Sequence, residues 1–171
     1  DVPLLQTALD VTVRRFPSIA VRLRRGVFWY YLEQIPAAPP VQPEKSYPLV
    51  HMPFDDIRRC AFRVLVYRDR VAVEFFHALT DGTGGLIFLK TLLAEYLCRK
   101  TGVEIPPTDG VLRRMDPPRE EELEDSFARY AGDVKLSRRE ATAYHLSGTP
   151  APDGYKDLIT MMIPAAKLRG C

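Results

Sequence analysis

The chain has 171 residues and a formal net charge of only +2, with 46% hydrophobic and 27% charged residues. This balance is typical of a globular domain with a buried core, and it does not indicate a nucleic-acid-binding protein, which would carry a strong basic excess on one face. No apolar run approaches the ~20 residues that span a membrane, and no signal peptide opens the chain. We therefore expect a cytoplasmic protein without a nucleic-acid partner or a membrane span.

The first part of the chain is predicted to form a helix followed by a β-hairpin. Residues 1–15 carry apolar side chains at helical spacing. Two strands follow, over residues 19–23 and 27–34, and Gly26 between them could take a positive φ. The aromatic run from Phe28 to Tyr31 would place rings on both faces of the second strand. We interpret these rings as sheet packing in preference to a platform for a ligand.

The middle of the chain is predicted to form a loop, a second hairpin and a long helix. Residues 36–48 are rich in proline and polar residues, which is typical of a surface loop. Residues 61–67 and 71–76 have the pattern of paired strands. A strongly amphipathic helix is predicted over residues 83–100. Its predicted buried face consists of Leu86, Leu89, Leu93, Tyr96 and Leu97.

The last part of the chain is predicted to be a loop over residues 103–118 and then a helix capped by Asp116. The acidic residues 120–122 would lie near the positive end of that helix dipole, where they are expected to be a solvated helix start. Four further segments are predicted: a short helix at 137–143, a loop at 149–155, a strand at 157–163 and the start of a helix at 164–171. This order indicates a mixed α/β (α+β two-layer) fold, with a largely antiparallel sheet covered on one face by helices.

The segment with the most chemical content is Phe-Phe-His-Ala-Leu-Thr-Asp-Gly-Thr-Gly-Gly, residues 75–85. It joins a predicted strand to the long helix, where side chains and helix-terminal amides converge. His77 continues the strand alternation among large apolar residues, so partial desolvation would keep its imidazole neutral and able to accept a proton. Asp81 could fix the turn through backbone amides or an arginine. Gly82 and the glycines after it would permit close approach of a ligand.

Four interpretations of His77 compete. It could be a structural residue at a strand end. A metal site would need further ligands, and neither H-x-x-x-H nor H-E-x-x-H is present. A phosphate cradle suits the order of strand, glycine-rich loop and helix, with Thr83 as helix cap, but neither phosphate-binding glycine motif is present. The fourth interpretation is a general base at the mouth of a substrate tunnel.

A family resemblance favours the fourth interpretation. The sequence His-Ala-Leu-Thr-Asp-Gly at residues 77–82 matches the H-x-x-x-D-G motif and resembles the coenzyme A-dependent acyltransferase superfamily. That superfamily includes chloramphenicol acetyltransferase, alcohol acetyltransferases and nonribosomal-peptide condensation domains. Phe-Arg-Val at residues 62–64 is similar to a strand of the family, and Arg-Phe-Pro at 15–17 is similar to its R-H-P segment. The resemblance covers the element order of the whole chain, most closely residues 1–100, and the alcohol acetyltransferase branch is nearest.

The resemblance implies an acyltransferase. It implies a chloramphenicol acetyltransferase-like fold in which residues 1–171 form the amino-terminal lobe of a two-lobe protein. His77 would be the general base, with Asp81 and Gly82 supporting its loop. The donor would be acyl-coenzyme A or a carrier-protein thioester, used as a co-substrate without a permanently bound cofactor, and the acceptor a small-molecule hydroxyl or amine. The alternative is a non-catalytic binding or assembly domain that retains the fold.

The chain departs from the family pattern in three respects. Phe76 stands where condensation domains have a second histidine, and Ala20 stands where they have the arginine that pairs with the motif aspartate; Arg22 is one candidate replacement. The family's D-F-G-W-G-like motif and second lobe are absent. Because the chain begins at Asp1 and ends abruptly at Cys171, we expect it to be a piece of a longer product, inactive alone and prone to self-association.

The remaining candidate residues are assigned structural roles. His51 and His145 are interpreted as loop or edge histidines, and Cys60 and Cys98 as small core residues with no neighbouring base to activate them. The chain has three cysteines, widely spaced and without a C-x-x-C pair. This pattern predicts neither a disulfide framework nor a zinc site.

Overall fold

A computed structural model of the protein describes residues 1–45, 50–124, 129, 147 and 148. The described helices are α1 (Val2–Arg15), α2 (Phe54–Ile57) and α3 (Gly82–Thr101), with a 3₁₀ turn at Glu120–Glu122; the strands are β1 (Val21–Arg25), β2 (Tyr30–Gln34), β3 (Gln42–Pro43), β4 (Phe62–Tyr67) and β5 (Arg70–Phe75). None of these described helices is long and apolar enough to cross a membrane.

The chain divides into two units, Asp1–Ala131 and Gly132–Cys171, and all the elements named above belong to the first. The elements predicted over 137–143, 149–155, 157–163 and 164–171 lie outside the described residues.

Helix α1 forms as its sequence predicts. The carboxylate of Asp1 accepts a hydrogen bond from the Leu4 amide at 3.1 Å, and Pro3 lies in the first turn, where no amide is needed. Arg14 and Arg15 lie in the last turn, at the negative end of the helix dipole. Its buried face consists of Leu5, Ala8, Leu9, Thr12, Val13 and Arg15.

The predicted mixed α/β architecture is confirmed, but the strands form two small sheets. β1 and β2 pair antiparallel, and β3, β4 and β5 form a three-stranded sheet in that order. β3 pairs parallel to β4, and β4 pairs antiparallel to β5. The Ala61 amide donates a hydrogen bond to the Val21 carbonyl at 2.9 Å, which ties the start of β4 to β1.

The first hairpin is shorter than predicted, and its aromatic residues do not pack within the sheet. The strands end at Arg25 and begin again at Tyr30, and the Gly26 amide donates to the Trp29 carbonyl at 2.7 Å. Gly26 closes this turn without a positive φ. Phe28 and Trp29 therefore lie in the turn, beyond the last paired residues. The prediction that the rings of residues 28–31 are sheet packing is wrong, since all four side chains are exposed.

The core lies between the two long helices and one face of the β3–β4–β5 sheet. Alternate residues of β4 and β5 face it in register, as in the pairs Phe62 with Phe75 and Val64 with Val73. Phe88 of α3 is fully buried at the centre, with its ring 5.1–5.7 Å from the rings of Phe16, Phe62 and Phe75. Edge-to-face contacts of this kind stabilise the core beyond the contribution of the buried apolar area.

The buried face of α3 is not the predicted leucine face. Leu86 is 50% exposed and Leu97 43% exposed, whereas the buried residues are Phe88, Thr91, Leu92 and Glu95. The difference arises because the segment after α3 folds back onto the helix and supplies polar partners. The Leu112 amide donates to Thr91 Oγ1 at 3.0 Å, and Glu95 forms ion pairs with Arg99 and Arg114. Paired in this way, polar side chains can be buried at modest cost.

Helix α3 ends at Thr101, within one residue of its predicted end at 100, but the following helix does not form as predicted. Gly102 takes a left-handed conformation with φ of 74° and donates its amide to the Cys98 carbonyl at 2.8 Å. The helix predicted to be capped by Asp116 does not start there: residues 116–124 contain only the 3₁₀ turn Glu120–Glu122, preceded by Arg119. Pro118 disfavours helical geometry at the residue before it, which prevents a helix from starting at Pro117.

Candidate functional site

His77 lies in a tight turn that leaves β5. The strand ends at Phe75, the Phe76 amide donates to the Ala61 carbonyl at 2.8 Å, and the Leu79 amide donates to the Phe76 carbonyl at 2.9 Å. His77 is therefore at the centre of a turn, and the strand alternation does not extend to it. Its side chain is exposed. The expectation that apolar neighbours partly desolvate the imidazole is wrong within the described residues, because Phe75 and Phe76 pack into two different core clusters.

Asp81 is the N-cap of α3. Its carboxylate accepts a hydrogen bond from the Gly84 amide at 2.8 Å, and its carbonyl accepts the Gly85 amide at 3.0 Å. Of the two predicted anchors, a backbone amide is the one observed. Arg22 is not the partner of Asp81, because its guanidinium binds Glu33 at 2.6 Å across the first hairpin. Thr83 is not the helix cap either, since α3 already begins at Gly82.

The glycines of the motif differ in how much space surrounds them. A Cβ at Gly84 would lie 2.1 Å from Thr80 Oγ1, and one at Gly85 would lie 3.1 Å from Phe75 Cε2. A Cβ at Gly82 would meet nothing within 4 Å among the described residues. Gly84 therefore allows the Thr80–Asp81 turn to lie against the first turn of α3, whereas Gly82 is not required for packing.

A cleft of about 340 Å³ opens beside the motif loop. Leu79, Thr80 and Gly84 contribute from the motif, and the other walls include Phe16, Pro17, Ile19, Ile87 and Leu112. His77 is not among the lining residues. Within the described part of the chain, residues that follow His77 thus line a largely apolar cleft to which His77 itself does not contribute.

An ion pair between buried Arg15 and partly exposed Glu122 lines this cleft. The guanidinium of Arg15 forms a two-point contact with the carboxylate of Glu122, in which Nη2 lies 2.9 Å from Oε1. Arg15 is 5% exposed and Glu122 35% exposed. The hydrogen bond from Arg15 lowers the pKa of Glu122, and the same bond raises the pKa of Arg15. The pair fixes the 3₁₀ turn to the end of α1, and sequence analysis missed it.

Within the described residues, the other candidate residues form no second site. His51 is exposed, and Cys60 and Cys98 are half-buried free thiols. Burial raises the pKa of Cys60, which opposes its activation as a nucleophile. Across the described residues, no group of three or more histidine, cysteine, aspartate or glutamate side chains could hold a metal ion. His145 and Cys171 lie outside these residues.

No protein-family model and no curated protein sequence matches the chain. Among solved structures, the chain is similar to SgcC5 from Streptomyces globisporus, crystallised with (R)-(-)-1-(2-naphthyl)-1,2-ethanediol and sucrose. The two proteins are 19% identical with a TM-score of 0.46, over 64% of this chain and 30% of SgcC5. The chain thus spans less than a third of SgcC5.

Proposed function

We propose that the chain carries the general base of an O- or N-acyltransferase that uses an acyl thioester as donor. The observation that carries this proposal is the placement of the H-x-x-x-D-G segment. Asp81 binds the first turn of α3 and anchors the loop from its carboxyl end, while the hydrogen bond from Phe76 to Ala61 anchors it from the other. Between the two anchors, His77 is held in an exposed turn where a substrate can reach it.

In the proposed reaction His77 removes the proton from the hydroxyl or amine of the acceptor. The acceptor attacks the carbonyl carbon of the thioester, a tetrahedral intermediate forms, and the carbon–sulfur bond breaks to release the thiolate. The acyl group is now bonded to the acceptor, and the proton held by His77 passes to the departing thiolate. No cofactor is consumed, because acyl-coenzyme A or a carrier-protein thioester is itself the co-substrate.

The exposure of His77 bears on how such a protein would work. Proximity and orientation can lower a reaction barrier by roughly 7–11 kcal/mol, but only when the reactants are held next to the catalytic group. A general base that is open to bulk water does not hold its reactants and gains little of this effect. We therefore propose that a second lobe covers His77 and completes the substrate channel. Residues 1–171 alone would then transfer acyl groups poorly.

The second candidate function is a non-catalytic binding domain. One observation favours it: the cleft of about 340 Å³ is lined by Leu79, Thr80 and Gly84 and not by His77. A domain that had lost catalysis could bind an apolar ligand in this cleft without using the imidazole.

Acyl transfer measured for His77→Ala distinguishes the two functions. The assay uses the protein in which this segment is joined to the proposed second lobe, with acetyl-coenzyme A and a panel of alcohols and amines. His51→Ala is the matched control, because His51 is also exposed but lies outside the motif. Loss of turnover in His77→Ala alone supports an acyltransferase. Turnover in His77→Ala equal to that of the parent would show that His77 is not the general base, whereas no turnover in the parent protein favours a binding domain.

A further inference from the structure

The turn of the first hairpin is an exposed run of large apolar side chains. Exposure is 78% at Val27, 90% at Phe28 and 62% at Trp29, and it falls to 44% at Leu32. We call residues 27–32 the hairpin tip. Isolated exposed apolar residues are common, but a contiguous run of this size marks an interaction site or an aggregation liability.

The hairpin tip stands on a packed base. Val21, at the other end of β1, is buried and packs with Ile57 of α2. Nearer the turn, the ring of Tyr30 meets that of Phe54 edge-on, with centroids 5.7 Å apart. Exposure increases steadily from Leu32 to Phe28, so the most apolar part of the hairpin is also the part that projects furthest. The hairpin tip therefore projects from a base that is packed against α2.

The hairpin that carries the tip has a net positive charge. Residues 21–34 contain three arginines and one glutamate, a net charge of +2. Glu33 is shared by Arg22 and Arg24 at 2.6 and 3.1 Å. Arg25, paired in register with Tyr30, is exposed and forms no ion pair within the described residues. An uncompensated cation thus lies directly beside the aromatic rings.

We propose that the hairpin tip binds the surface of an anionic lipid membrane. Phenylalanine and valine at the apex would enter the acyl boundary, and tryptophan and tyrosine would lie at the level of the headgroups, where their amphipathic rings are favoured. Arg25 and Arg24 would contact lipid phosphates. The projecting hairpin tip can insert into a fluid lipid surface without a complementary cavity, whereas a protein partner would have to supply a deep apolar pocket. This is peripheral binding and does not depend on the proposed acyl transfer.

Trp29 reports directly on this interaction because it is the chain's sole tryptophan. The full chain is mixed with vesicles of phosphatidylcholine and phosphatidylserine, or of phosphatidylcholine alone, and emission is recorded with and without brominated lipid. We expect a shift to shorter wavelength and quenching by brominated lipid with the anionic vesicles. Phe28→Ala should weaken vesicle binding by about tenfold or more. Arg25→Glu should weaken it by about tenfold at low salt and by less at high salt.

Met115→Ala is the control, since Met115 is 83% exposed but lies far along the chain from the hairpin. It should bind vesicles as the parent does, and circular dichroism verifies that each variant is folded. Unchanged emission with anionic vesicles would overturn the proposal. So would equal binding to neutral vesicles, or a spectral shift that appears without lipid as protein concentration rises, which would indicate contact between copies of the chain.

Discussion

The carboxylate of Asp81 lies 2.8 Å from the amide of Gly84, and this hydrogen bond joins the motif turn to the first turn of α3. Asp81 is exposed and has no ion pair within the described residues. The aspartate of the H-x-x-x-D-G segment is thus a helix cap. Its contribution to any chemistry at His77 is to hold the turn in place.

Replacing Asp81 by alanine removes this cap. Because loss of a capping carboxylate leaves helix amides without their partner, we expect the free energy of unfolding to fall by about 1 kcal/mol. Asparagine caps nearly as well as aspartate, so Asp81→Asn should retain most of the stability. Urea unfolding of the two variants measures the difference. His77→Ala should be less destabilising than Asp81→Ala, and the opposite order would contradict the assignment of Asp81 as a structural residue.

Gly84 and Gly82 should respond differently to alanine. An alanine Cβ at position 84 would lie 2.1 Å from Thr80 Oγ1, so Thr80 must leave its rotamer, at a cost of roughly 0.5–1.5 kcal/mol. At position 82 there is open space, and alanine gains up to about 1 kcal/mol of helix propensity. Chemical unfolding should therefore rank Gly82→Ala as the more stable variant.

A double variant tests the reason for this difference. Thr80→Ala removes the hydroxyl, so Gly84→Ala should cost less in its presence than in the parent. If Gly84→Ala is equally costly in both backgrounds, the contact with Thr80 does not explain the glycine.

Breaking the ion pair between Arg15 and Glu122 should destabilise the fold. Glu122→Gln leaves the guanidinium of Arg15 buried without a counter-charge, and since Glu122 is partly exposed we expect a loss of about 1–3 kcal/mol at neutral pH. Glu121→Gln is the matched control, because Glu121 is exposed and its side chain makes no ion pair within the described residues.

The same pair predicts a pH dependence. The pKa of Glu122 is lower in the folded chain than its usual value of about 4.3. The folded state therefore binds fewer protons than the unfolded state, and stability falls as pH falls through the lowered pKa. The stability difference between the parent and Glu122→Gln should be constant from about pH 5 to 7 and shrink in more acidic solution. A difference that persisted unchanged into strong acid would show that the charge of Glu122 is not what stabilises the fold.

Local sequence patterns predicted the elements whose signals are local. Helix α1, the β4–β5 hairpin and the end of α3 at Gly102 follow from apolar spacing, capping residues and turn chemistry, and the structure agrees with each. The strand-to-helix junction that holds His77 was predicted for the same reason. The sequence placed His77 at this junction, but it did not predict that the side chain would be exposed in a turn.

The failures concern contacts between distant residues. Arg15 and Glu122 are 107 positions apart in the sequence. Taken alone, each has the pattern of a solvent-exposed charge near a helix end. Thr91 and Glu95 are buried, and their partners Leu112 and Arg114 belong to a later segment that returns to α3. The aromatic residues at 28–31 have strong strand propensity, yet the turn at Gly26 places the first two beyond the paired residues. Propensity identifies an element but does not determine what covers it.

Turnover of His77→Ala tests the central proposal most directly. In the protein that joins this segment to the proposed second lobe, initial rates of acyl transfer from acetyl-coenzyme A are compared for the parent, His77→Ala and His51→Ala. Loss of a general base should lower turnover by about 10²–10⁴-fold in His77→Ala. His51→Ala should remain near the parent, and both variants should unfold at similar urea concentrations. Turnover of His77→Ala close to that of the parent would contradict the assignment of His77 as the general base.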